Sequence, residues 1–125
     1  MKPSILVVDD NRKTCSNLKR ILQRKNFHVE VAYDGAEALE KLEQNLPACM
    51  LLDIRMPGMN GVGAFKLVQL KYPDLKVIIL TAVRDPNTKK SFLEKGAFAF
   101  IGKPVMMEQL FREIDLAIGS KNSPS

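Results

Sequence analysis

Short, wholly apolar runs alternate along this chain with stretches whose apolar residues recur every three or four positions. The runs ILVV (5–8), CMLL (49–52) and VIIL (77–80) have strand length and no polar interruption. Two further strand candidates differ. VEVAY (29–33) is broken by Glu30, as expected of a sheet edge. FAFIG (98–102) reads as a fifth strand and the opposite edge. Between these runs the spacing predicts helices. After Asp10, Cys15, Leu18 and Leu22 fall on one face, and Lys13, Arg20 and Arg24 on another. DGAEALEKLEQN (34–45) is rich in good helix formers, with Ala38, Leu39 and Leu42 on one side. GVGAFKLVQLKY (61–72) is a third helix, although Gly63 in its first turn costs about 0.5–1 kcal/mol relative to alanine. NTKKSFLEKG (87–96) is a fourth, ended by Gly96. The fifth, on 105–118, has one apolar stripe of Met107, Leu110, Phe111, Ile114, Ala117 and Ile118, with Met106 and Leu116 off it.

Strictly alternating strands and helices predict an α/β fold: a parallel sheet with helices on both faces. Three strands are apolar throughout, so both their faces should be covered. The flavodoxin-like doubly wound order 2-1-3-4-5 fits five such units. It is adopted from that known class, because the pattern alone does not select it. One domain over 1–118 is expected, with GSKNSPS (119–125) as a polar tail or the start of a linker.

Composition narrows the setting. Of 125 residues, 46% are apolar and 26% charged, which is ordinary for a globular chain. No apolar run approaches a membrane span, and MKPSILVVDDN carries no signal-peptide stretch. Cys15 and Cys49 both read as small buried hydrophobes, which points to a reducing, cytoplasmic setting. The net charge of +5 invites a nucleic-acid reading. Few aromatics and no nucleic-acid motif favour a solvated basic surface instead.

Candidate chemistry starts at ACMLLDIRMP (48–57), where an acid, Asp53, ends an otherwise apolar strand. An unpaired buried charge is costly, so the position demands a reason. Sites in open parallel sheets form at the carboxyl ends of the strands. Asp9 and Asp10 end the first strand, Asp53 the third, Thr81 the fourth and Lys103 the fifth. Three carboxylates at one rim repel each other unless a cation joins them. Mg²⁺ suits the set, because it takes oxygen ligands and needs few protein carboxylates. With Lys103 as a fixed positive charge and Thr81 as a hydroxyl donor, the rim could bind a phosphoryl group while a carboxylate attacks phosphorus. Simpler roles exist for each residue alone. Asp9, Asp10 or Asn11 could cap the first helix. Asp53 could open the turn before Pro57 and Gly58. Thr81 could be an ordinary strand-end hydroxyl, and Lys103 a solvated lysine. Their joint placement favours the chemical reading.

The chain resembles the receiver domain of two-component response regulators over about residues 4–118. The resemblance rests on VVDDN (7–11), LLDIRMPGMNG (51–61), ILTA (79–82), EKGAFAFIGKP (94–104) and their spacings. It implies that Asp53 is the phosphoacceptor, phosphorylated from a phosphohistidine on a sensor histidine kinase or phosphotransfer protein. It implies Mg²⁺ on Asp10, on Asp9 through water, on Asp53 and on the backbone carbonyl of Arg55. Lys103 would contact the phosphoryl group, and Thr81 would move to meet it. Phe100 holds the switch-aromatic position without the hydroxyl of the more frequent tyrosine; a plain core phenylalanine is the alternative there. Pro104 would follow a cis peptide bond. Arg55 and Val83 occupy positions that tune the lifetime of the phosphoryl group. The signalling face would be the fourth helix, fifth strand and fifth helix. That face would act on an output domain after Ser125, on a separate target, or through a homodimer, with no direct nucleic-acid or membrane binding by this domain. Kinase docking would fall near the basic face of the first helix, for which a solvated surface is the plainer account.

Two other classes fit less well. Aspartyl-phosphate phosphatases place Asp-x-Asp after such a strand, whereas Ile54 and Arg55 follow Asp53, and no phosphate-binding G-x-x-x-x-G-K-[ST] loop occurs. Interaction modules that work without phosphorylation often lack one of the five rim residues, and all five are present here.

Overall fold

The computed structural model describes residues 2–54, 61–82 and 85–119. Five strands and five helices alternate: β1 (Ser4–Val8), α1 (Arg12–Arg24), β2 (His28–Ala32), α2 (Gly35–Gln44), β3 (Cys49–Asp53), α3 (Gly61–Lys71), β4 (Val77–Thr81), α4 (Pro86–Glu94), β5 (Ala99–Gly102) and α5 (Met107–Gly119). Every strand pair is parallel, and the order is β2-β1-β3-β4-β5. β2 and β5 are therefore the edges, as the polar break at Glu30 implied.

The period of two sorts the strand residues between two apolar layers. Ile5, Val7, Cys49, Leu51, Ile78, Leu80, Ala99 and Ile101 pack with Cys15, Leu18 and Leu22 of α1 and with Leu110, Ile114 and Ala117 of α5. Leu6, Val8, Met50, Leu52, Val77, Ile79 and Phe100 pack on the other face with residues of α2, α3 and α4. This doubly covered sheet explains why β3 and β4 are buried at every position.

The same period aims the chemistry. Asp9 continues the series Ile5, Val7. Asp53 continues Cys49, Leu51, and Lys103 continues Ala99, Ile101. All three reach the carboxyl rim in step with the layer that α1 and α5 cover. Thr81 follows Val77 and Ile79, in step with the layer that contains Phe100.

Local signals set the element ends. Asn11 is the N-cap of α1, its side chain accepting the Thr14 N–H at 3.0 Å. Neither Asp9 nor Asp10 holds that place. Asp34 caps α2 by accepting the Glu37 N–H at 2.7 Å, while the Glu37 carboxylate accepts the Tyr33 N–H at 2.7 Å. That reciprocal pair takes Tyr33 out of the ladder, so β2 runs 28–32 rather than 29–33. Asp85 caps α4 with Pro86 in its first turn, one residue ahead of the expected start. α4 ends at Glu94, and Gly96 then takes a left-handed turn (φ 106°). α5 starts at Met107, two residues later than the periodicity suggested.

Candidate functional site

The sheet brings Asp9, Asp10, Asp53, Thr81 and Lys103 to its carboxyl rim. One ligand oxygen from each of Asp9, Asp10 and Asp53 lies within 4.8 Å of the others. Asp9 and Asp53 are buried, and Asp10 faces solvent. The Lys103 ammonium reaches in from the end of β5. It donates to Asp9 Oδ2 at 2.8 Å and to Asp53 Oδ2 at 3.2 Å. Thr81 is fully buried, and its carbonyl accepts the Lys103 main-chain N–H at 2.8 Å, which ties the ends of β4 and β5 together.

Asp9 is held at every polar group. Its N–H donates to the Ala32 carbonyl at 3.1 Å. Its Oδ1 accepts the Asn11 N–H at 2.9 Å, and its Oδ2 accepts from Lys103. Its carbonyl accepts the Cys15 thiol at 3.2 Å. The turn between β1 and α1 is thereby stiffened around its acids.

The electrostatics favour a cation. Among the described residues three carboxylates face one ammonium, a formal charge of two negatives. Burial draws the Lys103 ammonium toward its neutral form. The hydrogen bond and charge of Asp9, seconded by Asp53, outweigh that and hold its pKa above the ordinary lysine value. The donors are all oxygens, which suits a hard divalent ion such as Mg²⁺. Charge and donor type therefore both fit that ion.

Comparison with known proteins gives this geometry a family. Residues 5–115 match the response regulator receiver domain model. The chain belongs to the response regulator receiver domain family. It is 34% identical over 110 residues to response regulator MprA of Mycobacterium ulcerans, covering 88% of this chain and 47% of that protein. The chain thus spans about half the length of the curated relatives it matches. Among solved structures, a CheY-like response regulator receiver domain protein of Methanospirillum hungatei superposes with TM-score 0.91 at 28% identity, over all of both chains. A receiver domain protein of Clostridium thermocellum gives 0.90 at 28%, covering 98% of this chain and 99% of that one. The parallel, doubly covered sheet expected from the alternation, and the order 2-1-3-4-5 adopted from the known class, are thus both observed.

Other sequence expectations fall out as follows. The Lys103–Pro104 peptide is cis. Phe100 is buried, its ring 6.1 Å from that of Phe92, which in turn lies 5.2 Å from Phe65. Met106 and Leu116 are exposed. Arg55 and Val83 lie outside the described residues, as does the tail from 120 onward. Two features of the rim went unread. One is the Arg12 guanidinium, 4.1 Å from the centre of the Tyr33 ring, which joins the start of α1 to the end of β2. The other is the thiol of Cys15, read from its periodicity as a small hydrophobe. Cys15 is indeed fully buried, and burial, with the Asp9 charge second, pushes its pKa up to about 11. Its hydrogen bond to Asp9 spans six positions, a spacing that no helical or strand pattern marks.

Proposed function

We propose that this receiver domain is a phosphorylation-driven switch in which Asp53 accepts a phosphoryl group from a phosphohistidine on a sensor histidine kinase or phosphotransfer protein. The observation that carries the reading is the convergence of three carboxylates within 4.8 Å, two of them bridged by one lysine. In this reading an Asp53 carboxylate oxygen bonds to phosphorus while the phosphorus–nitrogen bond of the donor breaks. The bonding pair stays with the imidazole, which takes up a proton from water. Asp9, Asp10, Asp53 and the main-chain carbonyl of Arg55 are the residues to hold Mg²⁺. When bound, that ion supplies positive charge for the phosphoryl oxygens. Lys103 orients and neutralises a further oxygen. The domain acts on its own side chain and assists both gain and loss of the group, without turning over phosphate esters.

Phosphorylation then works by population shift. Aspartyl phosphate gives Thr81 a new partner, and Thr81 draws the segment after β4 inward. Phe100 lies in the layer beside it, behind α4, so the change is passed to the face formed by α4, β5 and α5. Exposed Leu93, Met106 and Leu116 are available there to an output domain, a separate target or a second copy. The setting of this reading is the cytoplasm.

The test is incubation with a small phosphodonor and Mg²⁺, followed by intact mass. One added phosphoryl group is expected, absent from Asp53→Asn and prevented by EDTA. Full labelling of the Asp53→Asn protein would place the acceptor elsewhere.

A further inference from the structure

Asp9 stands one residue beyond β1, where the ladders with β2 and β3 have ended at Val8. Its carbonyl is therefore outside the sheet's own hydrogen bonding, in a residue only 3% exposed. A buried carbonyl needs a donor. The donor is the thiol of Cys15, at 3.2 Å and itself fully buried. Cys15 belongs to the first turn of α1 beyond the Asn11 cap, and its own N–H donates to the Asn11 carbonyl at 3.1 Å. The thiol is thus a side-chain tie from the body of α1 to the acid turn.

The peptide plane that this bond holds is the one joining Asp9 to Asp10. Turning that plane moves the Cα of Asp10 relative to Asp9, and with it the separation of the two carboxylates. Asp9 is pinned on its other sides by Ala32, Asn11 and Lys103. Asp10 faces solvent, so its placement depends on the backbone that carries it. Mg²⁺ accepts little departure from octahedral geometry, so a small rotation here costs affinity.

We infer that Cys15 is a positioning residue for the divalent-cation site: its thiol, by donating to the Asp9 carbonyl, sets the spacing of the Asp9 and Asp10 carboxylates. This rests on the reading of Asp9, Asp10 and Asp53 as Mg²⁺ ligands. A cysteine that merely fills space against β1 would act through volume. A positioning cysteine acts through its donor. Alanine removes the donor, whereas serine restores one on a similar frame.

Calorimetric titration with Mg²⁺ separates the two roles, on protein shown to be folded by circular dichroism. Cys15→Ala is expected to weaken Mg²⁺ binding about two- to tenfold, the fold-change that loss of one ordinary hydrogen bond produces. Cys15→Ser is expected to stay within about twofold of the parent. Equal affinity in the alanine variant and the parent, or equal weakening by alanine and serine, would overturn the inference and leave the metal site standing. A parent protein that takes no Mg²⁺ would overturn the metal reading itself, and this inference with it. The infrared S–H stretch of the unmutated protein gives a measurement independent of variant folding. Cys15, told apart from Cys49 in a Cys49→Ala background, should show the lowered frequency of a hydrogen-bonded thiol, and that band should move when Mg²⁺ is added. A free-thiol frequency would contradict the tie.

Discussion

The two ends of the sheet differ in kind. At the amino ends of the strands lies a cavity of about 730 Å³, lined by Ser4, Leu46, Pro47, Tyr72, Leu75 and Ile118 among others. It is roomy, but no cluster of acids lies there among the described residues. At the carboxyl ends the acids and Lys103 converge. The hollow and the clustered acids lie at opposite ends. A ligand that must be enveloped needs volume. A group handed over by another macromolecule needs exposed access and concentrated charge. The carboxyl rim offers both, with Asp10 in solvent and Asp9 and Asp53 behind it.

Exchanging chemistry between the rims should have unequal effects. The largest is at Asp53. Asp53→Asn should lose all phosphorylation by a small donor, read by intact mass, whereas Leu46→Ser at the opposite rim should leave the yield unchanged. Lys103→Ala should follow, at about 4 kcal/mol of stability without Mg²⁺, because two mostly buried carboxylates lose their shared counter-charge. Urea unfolding measures that loss, and Mg²⁺ should recover part of it. Gly61→Ala should cost about 2–3 kcal/mol in the same assay. A Cβ there would stand 2.1 Å from Ile54 Cα, directly after Asp53, and a main-chain atom cannot swing aside. A smaller, pH-dependent effect belongs to Cys49. Burial pushes its thiol up to about 12 from an ordinary 9. The unfolded chain then loses the proton first, so this contribution is intact below pH 9 and fades as pH climbs toward 12. Cys49→Ala should flatten the alkaline limb of the stability curve.

Much of this was legible in the chain because two periods carry it. Unbroken runs of strand length at 5–8, 49–52 and 77–80 read as strands covered on both faces, and the doubly wound sheet supplies the covers. Asp9, Asp53 and Thr81 were legible because each directly follows such a run, Asp10 because it comes one place after Asp9, and Lys103 because it follows the fifth strand. The period of two also sets which side of the rim a group leaves from. Counting by two from each strand sets Asp9, Asp53 and Lys103 together and Thr81 with the layer of Phe100. The cap of α1 was undecided among three neighbouring residues, all chemically able to cap. Asn11 holds it while Asp9 turns to Lys103, an outcome decided by a residue 94 positions away in the chain. The Cys15 tie was illegible for a different reason: a buried thiol satisfies the apolar pattern whether or not it donates a hydrogen bond.

The most direct test of charge concentrated at one end of the sheet is a Mg²⁺ titration followed by backbone amide NMR. The account predicts saturable shifts at Val8 to Asn11, at Asp53 and Ile54, and at Thr81 and Lys103, with the amides of Leu46, Ala48, Tyr72, Asp74 and Leu75 unmoved. Shifts centred on the amino-end cavity, or none at the acids at millimolar Mg²⁺, would contradict it.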